Sequence, residues 1–103
     1  MTTRKKSYFE ELEKIYGRLS FGEMLKALRE AEGKTQIEFS KKLGFSVQNL
    51  CDIEKGRRIP SPVRAATIAK KLKLPVKAII EFALRDALES EGFKFNVTLE
   101  ESA

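Results

Sequence analysis

Helix starts and stops punctuate this chain so densely that long helices, and any architecture built on them, are excluded. The pattern Ser/Thr-x-x-Glu occurs at Ser7–Glu10, Ser20–Glu23 and Thr35–Glu38. In such a capping box the hydroxyl accepts a free N–H of the first turn, and the glutamate reaches back to the N–H of the cap. Ser46 is a further candidate cap. Ser61 is another, with Pro62 at the first helical position, and Pro75 opens the last segment. Gly17, Gly33, Gly44, Gly56 and Gly92 supply the stops. Six helices are expected, near 8–16, 21–32, 36–43, 47–55, 62–73 and 75–90.

The apolar spacing agrees with these limits. Tyr8, Phe9, Leu12, Ile15, Tyr16 and Leu19 follow a three-to-four rhythm, as do Phe21, Met24, Leu25 and Leu28. Phe39, Leu43, Leu50, Ile53, Ala66, Ile68, Ala69, Leu72, Val76 and Ile79 are expected to join them in one core. A chain of 103 residues supports one domain with one modest core. No internal repeat or low-complexity tract interrupts it.

The tail changes period. FKFNVTLE (93–100) alternates strictly, with Phe93, Phe95, Val97 and Leu99 on one side. That pattern predicts a strand with one apolar face. No second strand is visible, so its backbone groups need a partner, either another copy of the chain or a different protein. A disordered or packed tail is the alternative. In the last helix Ile79, Ile80, Phe82, Ala83, Leu84, Ala87 and Leu88 cover more than one face, which asks for additional cover. A dimer built from the C-terminal third would use Phe82, Phe93, Phe95, Val97 and Leu99. In the competing arrangement the helix at 8–16 covers the surplus face within one subunit.

Charge is unevenly placed. Residues 1–80 hold 18 Lys and Arg against 9 Asp and Glu, whereas residues 81–103 hold 2 against 6. Residues 61–80 carry Arg64, Lys70, Lys71, Lys73 and Lys77 with no acid. A basic body suits a polyanion, although a solvated surface would look the same. No apolar run approaches the roughly 18 residues of a membrane span, and the basic N-terminus lacks the apolar region of a secretory signal. Cys51 is the only cysteine, so an intrachain disulfide is impossible and a cytoplasmic setting is expected. Without histidine, a Gly-rich phosphate loop or paired-cysteine metal spacing, no enzyme chemistry, cofactor or metal is expected.

Between Thr35 and Gly56 lie two helices too short to bury a core of their own. The run LREAEGKTQIEFSKKLGFSVQNLCDIEKGRRIPS carries Arg29, Gln36, Ser40, Gly44, Ser46, Leu50, Ile53, Glu54 and Gly56 in characteristic order and spacing. Over residues 25–80 it resembles the lambda repressor/Cro-like (XRE) helix-turn-helix family. The resemblance implies an all-α fold. Its centre would be a lambda-repressor-like five-helix DNA-binding domain over 20–90, with the helix-turn-helix motif at 36–55. An N-terminal helical extension (1–19) and a C-terminal β-strand or tail (91–103) used in dimerisation would complete it.

The residues fit that reading. A major groove about 12 Å wide admits one α-helix, whose first residues meet base edges. With Leu50 and Ile53 inward, Val47, Gln48, Cys51 and Asp52 fall on the opposite side. Gln48 is the best reader, because its amide can engage adenine N6 and N7 together. Val47 could pack on a thymine methyl, and Asn49 could reach a base or a phosphate. Cys51 is small enough to allow close approach. Asp52 departs from the family, which often has a neutral or basic reader there. It could accept from cytosine N4 or lower nonspecific binding.

Gln36 resembles the family's phosphate-contacting glutamine, at a helix N-terminus where backbone N–H groups also favour an anion. Ser46 could contact phosphate while capping. Lys34, Lys41, Lys55, Arg57 and Arg58 are the further phosphate candidates, each equally able to be a solvated charge. Arg29 and Glu54 match the family's internal ion pair and are expected to be structural. The leading function is a dimeric regulator, expected to be a repressor, that binds a palindromic site on double-stranded DNA. An antitoxin that also represses its own operon, gripping a toxin protein through its tail or first helix, is the runner-up. A protein-binding adaptor that uses the fold without DNA is a third reading.

Overall fold

Among the described residues five helices are laid out, four of them started by serine or threonine caps that the sequence advertises. The computed structural model describes residues 13, 14 and 17–102. Helix α1 runs Phe21–Ala31, α2 Gln36–Leu43, α3 Val47–Glu54, α4 Pro62–Leu72 and α5 Val76–Ser90. Ser20 and Thr35 close complete capping boxes with Glu23 and Glu38. Ser46 and Ser61 accept the N–H groups of Asn49 and Arg64. At Glu38 the N–H and hydroxyl of Thr35 hold the carboxyl below the usual carboxylate range. Gly44 turns the chain between α2 and α3 at φ 79°, in the left-handed region that a side chain would strain.

Several expectations need adjustment. Pro75 precedes α5 as its N-cap rather than lying within it. The stop of α4 is Lys73, at φ 57°, where no glycine or asparagine marked it. The expected helix at 8–16 lies outside the described residues except for Glu13 and Lys14, which are helical. The Ser7–Glu10 box and the apolar residues at 8, 9, 12, 15 and 16 lie outside them as well.

One buried cluster joins all five helices. It contains Phe21, Met24 and Leu25 of α1, Phe39 and Leu43 of α2, and Leu50 and Ile53 of α3. Ala65, Ile68 and Ala69 of α4 and Ile79, Phe82 and Ala83 of α5 complete it. Ala65 and Ala69 are the fully buried alanines of α4, whereas Ala66 is half-buried. Helices α4 and α5 pack most extensively on each other, and α1 and α2 both pack on α3. Full burial of each large side chain is worth about 1.5–3 kcal/mol before entropy is counted.

Gly22 decides how close α1 approaches α3. It is buried in the first turn of α1. A Cβ there would run into the carbonyl oxygen of Ile53 and lie 2.9 Å from that of Glu54. Both obstacles are backbone, so α3 itself would have to move.

The expected β-strand does not form: among the described residues every element is a helix. Residues 93–100 form no regular element, and their backbone partners come from elsewhere. The Phe93 N–H donates to the Leu88 carbonyl (2.9 Å). The Phe95 carbonyl accepts from Arg18 (2.9 Å), and the Leu99 N–H donates to Glu81 (2.8 Å). A ladder needs a second strand, and here these groups are met instead by the Leu88 carbonyl and the side chains of Arg18 and Glu81. Val97 and Leu99 are half-buried, while Phe93 and Phe95 stand 51% and 59% exposed. Their rings stack with centroids 6.1 Å apart. Phe82, expected at a dimer contact, is in the core, edge-on to Phe21 at 6.2 Å with Arg85 over its ring at 4.3 Å.

A polar cluster fastens α5 to the start of α1. Arg85 donates to Glu13 (2.8 Å) and to the Leu19 carbonyl. Burial is the largest single influence on Glu13 and opposes its ionisation, but the hydrogen bond and charge of Arg85, the Leu19 N–H and the charge of Arg18 together outweigh it and hold the carboxyl low. Asp86 accepts the Phe21 N–H at 2.6 Å. There burial outweighs the hydrogen bond and raises the carboxyl above its ordinary value.

Two outcomes follow from this packing. Gly22→Ala should lower stability by about 1–3 kcal/mol, the range for overpacking, in urea unfolding. Because the folded pKa of Asp86 is raised, the native state holds that proton more tightly than the unfolded chain. Its contribution to stability is therefore largest at low pH and is lost as pH rises through the raised value. Relative to wild type, Asp86→Asn keeps an acceptor for Phe21 and should remove that downward component of the stability profile. Asp86→Leu orphans the Phe21 N–H and should cost about 1–3 kcal/mol.

Candidate nucleic-acid interface

Helices α2 and α3 meet across a turn that exposes one end of α3. The Phe45 N–H donates to the Ser40 carbonyl (2.9 Å), closing the turn at Gly44. Ser40 is buried and its hydroxyl donates to the Ile37 carbonyl (2.8 Å), so a small residue sits where the helices press together. Leu50, Ile53 and Glu54 bury one side of α3. Val47 is 40% exposed. Ser46 and Gln48 are exposed too, while Asn49, Cys51 and Asp52 are half-buried.

Glu54 fixes the other side. Its carboxylate accepts from Arg29 Nε (2.8 Å), Arg29 Nη2 (3.1 Å) and Gln36 Nε2 (3.0 Å). The Glu54 side chain is 3% exposed and that of Arg29 13%. Arg29 also donates to the Lys34 carbonyl (3.0 Å). One carboxylate thus ties α3 to α1 and α2, and its partner Arg29 ties in the loop between the first two. The Glu54 hydrogen bond outweighs burial at Arg29 and raises the guanidinium pKa further. Gln36, expected at a phosphate, directs its amide nitrogen to this carboxylate.

Asp52 is likewise engaged. Gln48 Nε2 donates to its Oδ1 at 3.0 Å, and the Arg57 guanidinium lies 3.7 Å from the same oxygen. The Asp52 carbonyl accepts the N–H groups of Arg57 (2.9 Å) and Arg58 (3.3 Å). The loop after α3 is therefore folded back on the helix. Ser46 uses its hydroxyl as the cap acceptor for Asn49 (3.1 Å). Lys41, Lys55, Arg57 and Arg58 are exposed and Lys34 is half-buried. Beside α3 lies an open cleft of about 250 Å³, lined by Asn49, Ile53, Arg58, Ile59, Pro60, Ser61 and Arg64.

Sequence reasoning passed over Arg64 as a site residue. Its guanidinium lies 4.5 Å from the centre of the Phe45 ring, which holds a cation beside the turn. Nineteen positions separate the two, and no local spacing announces such a contact. Gly22 was also missed. A glycine directly after a serine cap carries no signal that a neighbouring backbone lies against it.

Comparison with known proteins agrees with this geometry. The sequence profile described as helix-turn-helix matches residues 25–79. The chain belongs to the XRE-type helix-turn-helix family. Two relatives come from Bacillus subtilis (strain 168). The HTH-type transcriptional repressor RghR is 36% identical over 62 residues, 59% of this chain and 46% of the relative. The uncharacterized HTH-type transcriptional regulator YazB is 46% identical over 41 residues, 40% of this chain and 59% of the relative. The matched region thus spans about half the length of the curated relatives. Among the described residues, no helix of this XRE-type chain is long and apolar enough to cross a membrane.

The Glu54 hub yields a stability test. Glu54→Ala leaves the Arg29 charge buried and Gln36 without its acceptor, and should cost about 3–5 kcal/mol in denaturant unfolding. The double replacement Arg29→Met, Glu54→Leu should cost much less than the single one, since no charge is then stranded.

Proposed function

We propose that this chain binds double-stranded DNA in a sequence-dependent way and regulates transcription by placing the start of α3 in the major groove. The observation that carries the reading is the two-sidedness of α3. Leu50, Ile53 and Glu54 are locked inside, while Val47 and Gln48 are held out on a capped end. Lys41 on α2, and Lys55, Arg57 and Arg58 just after α3, are exposed and suited to phosphates. Val47 meets a thymine methyl, Gln48 an adenine edge, and Asn49 and Cys51 the neighbouring base pairs or sugar. Lys34, Ser46 and the N-terminus of α2 at Gln36 lie along the strand. The two relatives, named as a repressor and a regulator, support a role in transcription, and the first supports repression.

The proposal extends to two copies on a palindromic site. Recognition helices about 34 Å apart would read half-sites one turn apart. The stacked, exposed Phe93 and Phe95, with Val97 and Leu99 beside them in sequence, are the proposed contact between copies. Phe82 is already packed inside.

Selection of bound duplexes from a random pool, followed by titration at several salt concentrations, tests this reading. A palindromic consensus should emerge. Log affinity should fall linearly with log salt, by about 0.9 per phosphate neutralised. Gln48→Ala should lose about 1–3 kcal/mol of discrimination at one base pair without changing the slope. Arg58→Ala should weaken binding to all sequences and flatten the slope by about one phosphate. Binding that shows neither sequence preference nor salt dependence would contradict the proposal.

A further inference from the structure

We propose that Asp52 is a positioning residue for recognition, not a reader of bases: its carboxylate orients the Gln48 amide and restrains Arg57. The inference rests on the DNA-reading role proposed above and goes beyond it by separating what sets specificity from what touches a base. Asp52 lies one helical turn after Gln48 on α3, and its side chain is 21% exposed. Its Oδ1 accepts from Gln48 Nε2 at 3.0 Å and lies 3.7 Å from the Arg57 guanidinium.

The chemistry of the pair removes an ambiguity. An ionised carboxylate only accepts hydrogen bonds, so the amide nitrogen of Gln48 must face Asp52 and its oxygen must face away. One N–H goes to Asp52. The other remains beside Oε1, and that adjacent donor and acceptor is the pair that matches adenine N7 and N6. Freed from Asp52, the amide could turn over and offer the opposite order. It would also lose rotamer freedom only on binding. The carboxylate therefore pre-orients the reader before DNA arrives.

The same oxygen acts on Arg57. A guanidinium beside a carboxylate is partly neutralised, and phosphate must compete for it. Two further contacts hold the geometry independently of the side chain, because the Asp52 carbonyl accepts from the backbone of Arg57 and Arg58. Replacing the carboxylate thus leaves the loop's main-chain anchors in place.

Affinities for the selected duplex, and for duplexes substituted at each base pair, test the idea by fluorescence anisotropy at several salt concentrations. The proteins are wild type, Asp52→Ala, Asp52→Asn, Gln48→Ala and the Asp52→Ala, Gln48→Ala double variant, with thermal unfolding as a check on folding. Asp52→Ala should reduce discrimination about tenfold at the base pair read by Gln48, and should have no further effect there once Gln48 is alanine. It should also steepen the salt slope by about one ion, as Arg57 is released to a phosphate. Asp52→Asn keeps an acceptor for Gln48, so it should retain discrimination within about threefold while showing the steeper slope. Loss of preference at a base pair of its own, additive with Gln48→Ala, would make Asp52 a direct reader and overturn the proposal. Unchanged discrimination in Asp52→Ala would overturn it equally. A wild-type protein that selects no sequence is a different failure, that of the DNA-reading role itself.

Discussion

A single buried carboxylate holds the arrangement on which the rest depends. Glu54 ends α3 and accepts hydrogen bonds from α1 through Arg29 and from α2 through Gln36. Burying a charge is unfavourable unless its partners are complete, and here each oxygen is met. The consequence is directional. Once Glu54 is fixed inward, α3 cannot rotate about its axis, and the residues half a turn away are committed to solvent. Gly22 adds a second restraint, because α1 can lie against the last carbonyls of α3 only without a Cβ there. Specific packing and a satisfied ion pair therefore set the rotation and the depth of the presented helix.

The ends of the molecule differ in chemistry. Around α3 the cations are exposed, and the acids present are occupied. Glu38 closes a capping box, Asp52 holds Gln48, and Glu54 is enclosed. On α5 and its approach, Arg85 links Glu13 to the start of α1 and Asp86 caps that start. Acids there serve as internal fasteners. The exposed cations Lys41, Lys55, Arg57 and Arg58 on α2 and just after α3 suit attraction of a polyanion.

The local rules were strong enough to make much of this legible in the sequence. Capping boxes and left-handed glycines bound their helices with a few residues each, so Ser20, Thr35, Ser46, Ser61 and Gly44 announced their roles directly. The order Arg29, Gln36, Glu54 also pointed to a helix-turn-helix, but not to Gln36 turning toward Glu54. That choice depends on an oxygen eighteen positions away. Lys73 ends α4 in a conformation usually left to glycine, yet the end expected near 73 lies within one residue of the observed Leu72. The tail misled because alternation reports a face, not a partner. Residues 93–100 keep Val97 and Leu99 half-buried, yet their backbone is served by Arg18 and Glu81. Asp86 and Arg64 act through contacts that only the assembled fold creates.

Amide chemical-shift mapping during titration with a selected duplex tests the central claim most directly. The largest changes should fall on residues 46–52, with smaller ones at Gln36 and in the loop at 55–58. Resonances of Arg29 and Glu54 should hold nearly still, because the hub is rigid and enclosed. Largest changes on α5 or the 93–100 segment, with α3 unmoved, would contradict the claim that the outward end of α3 is the surface that meets DNA.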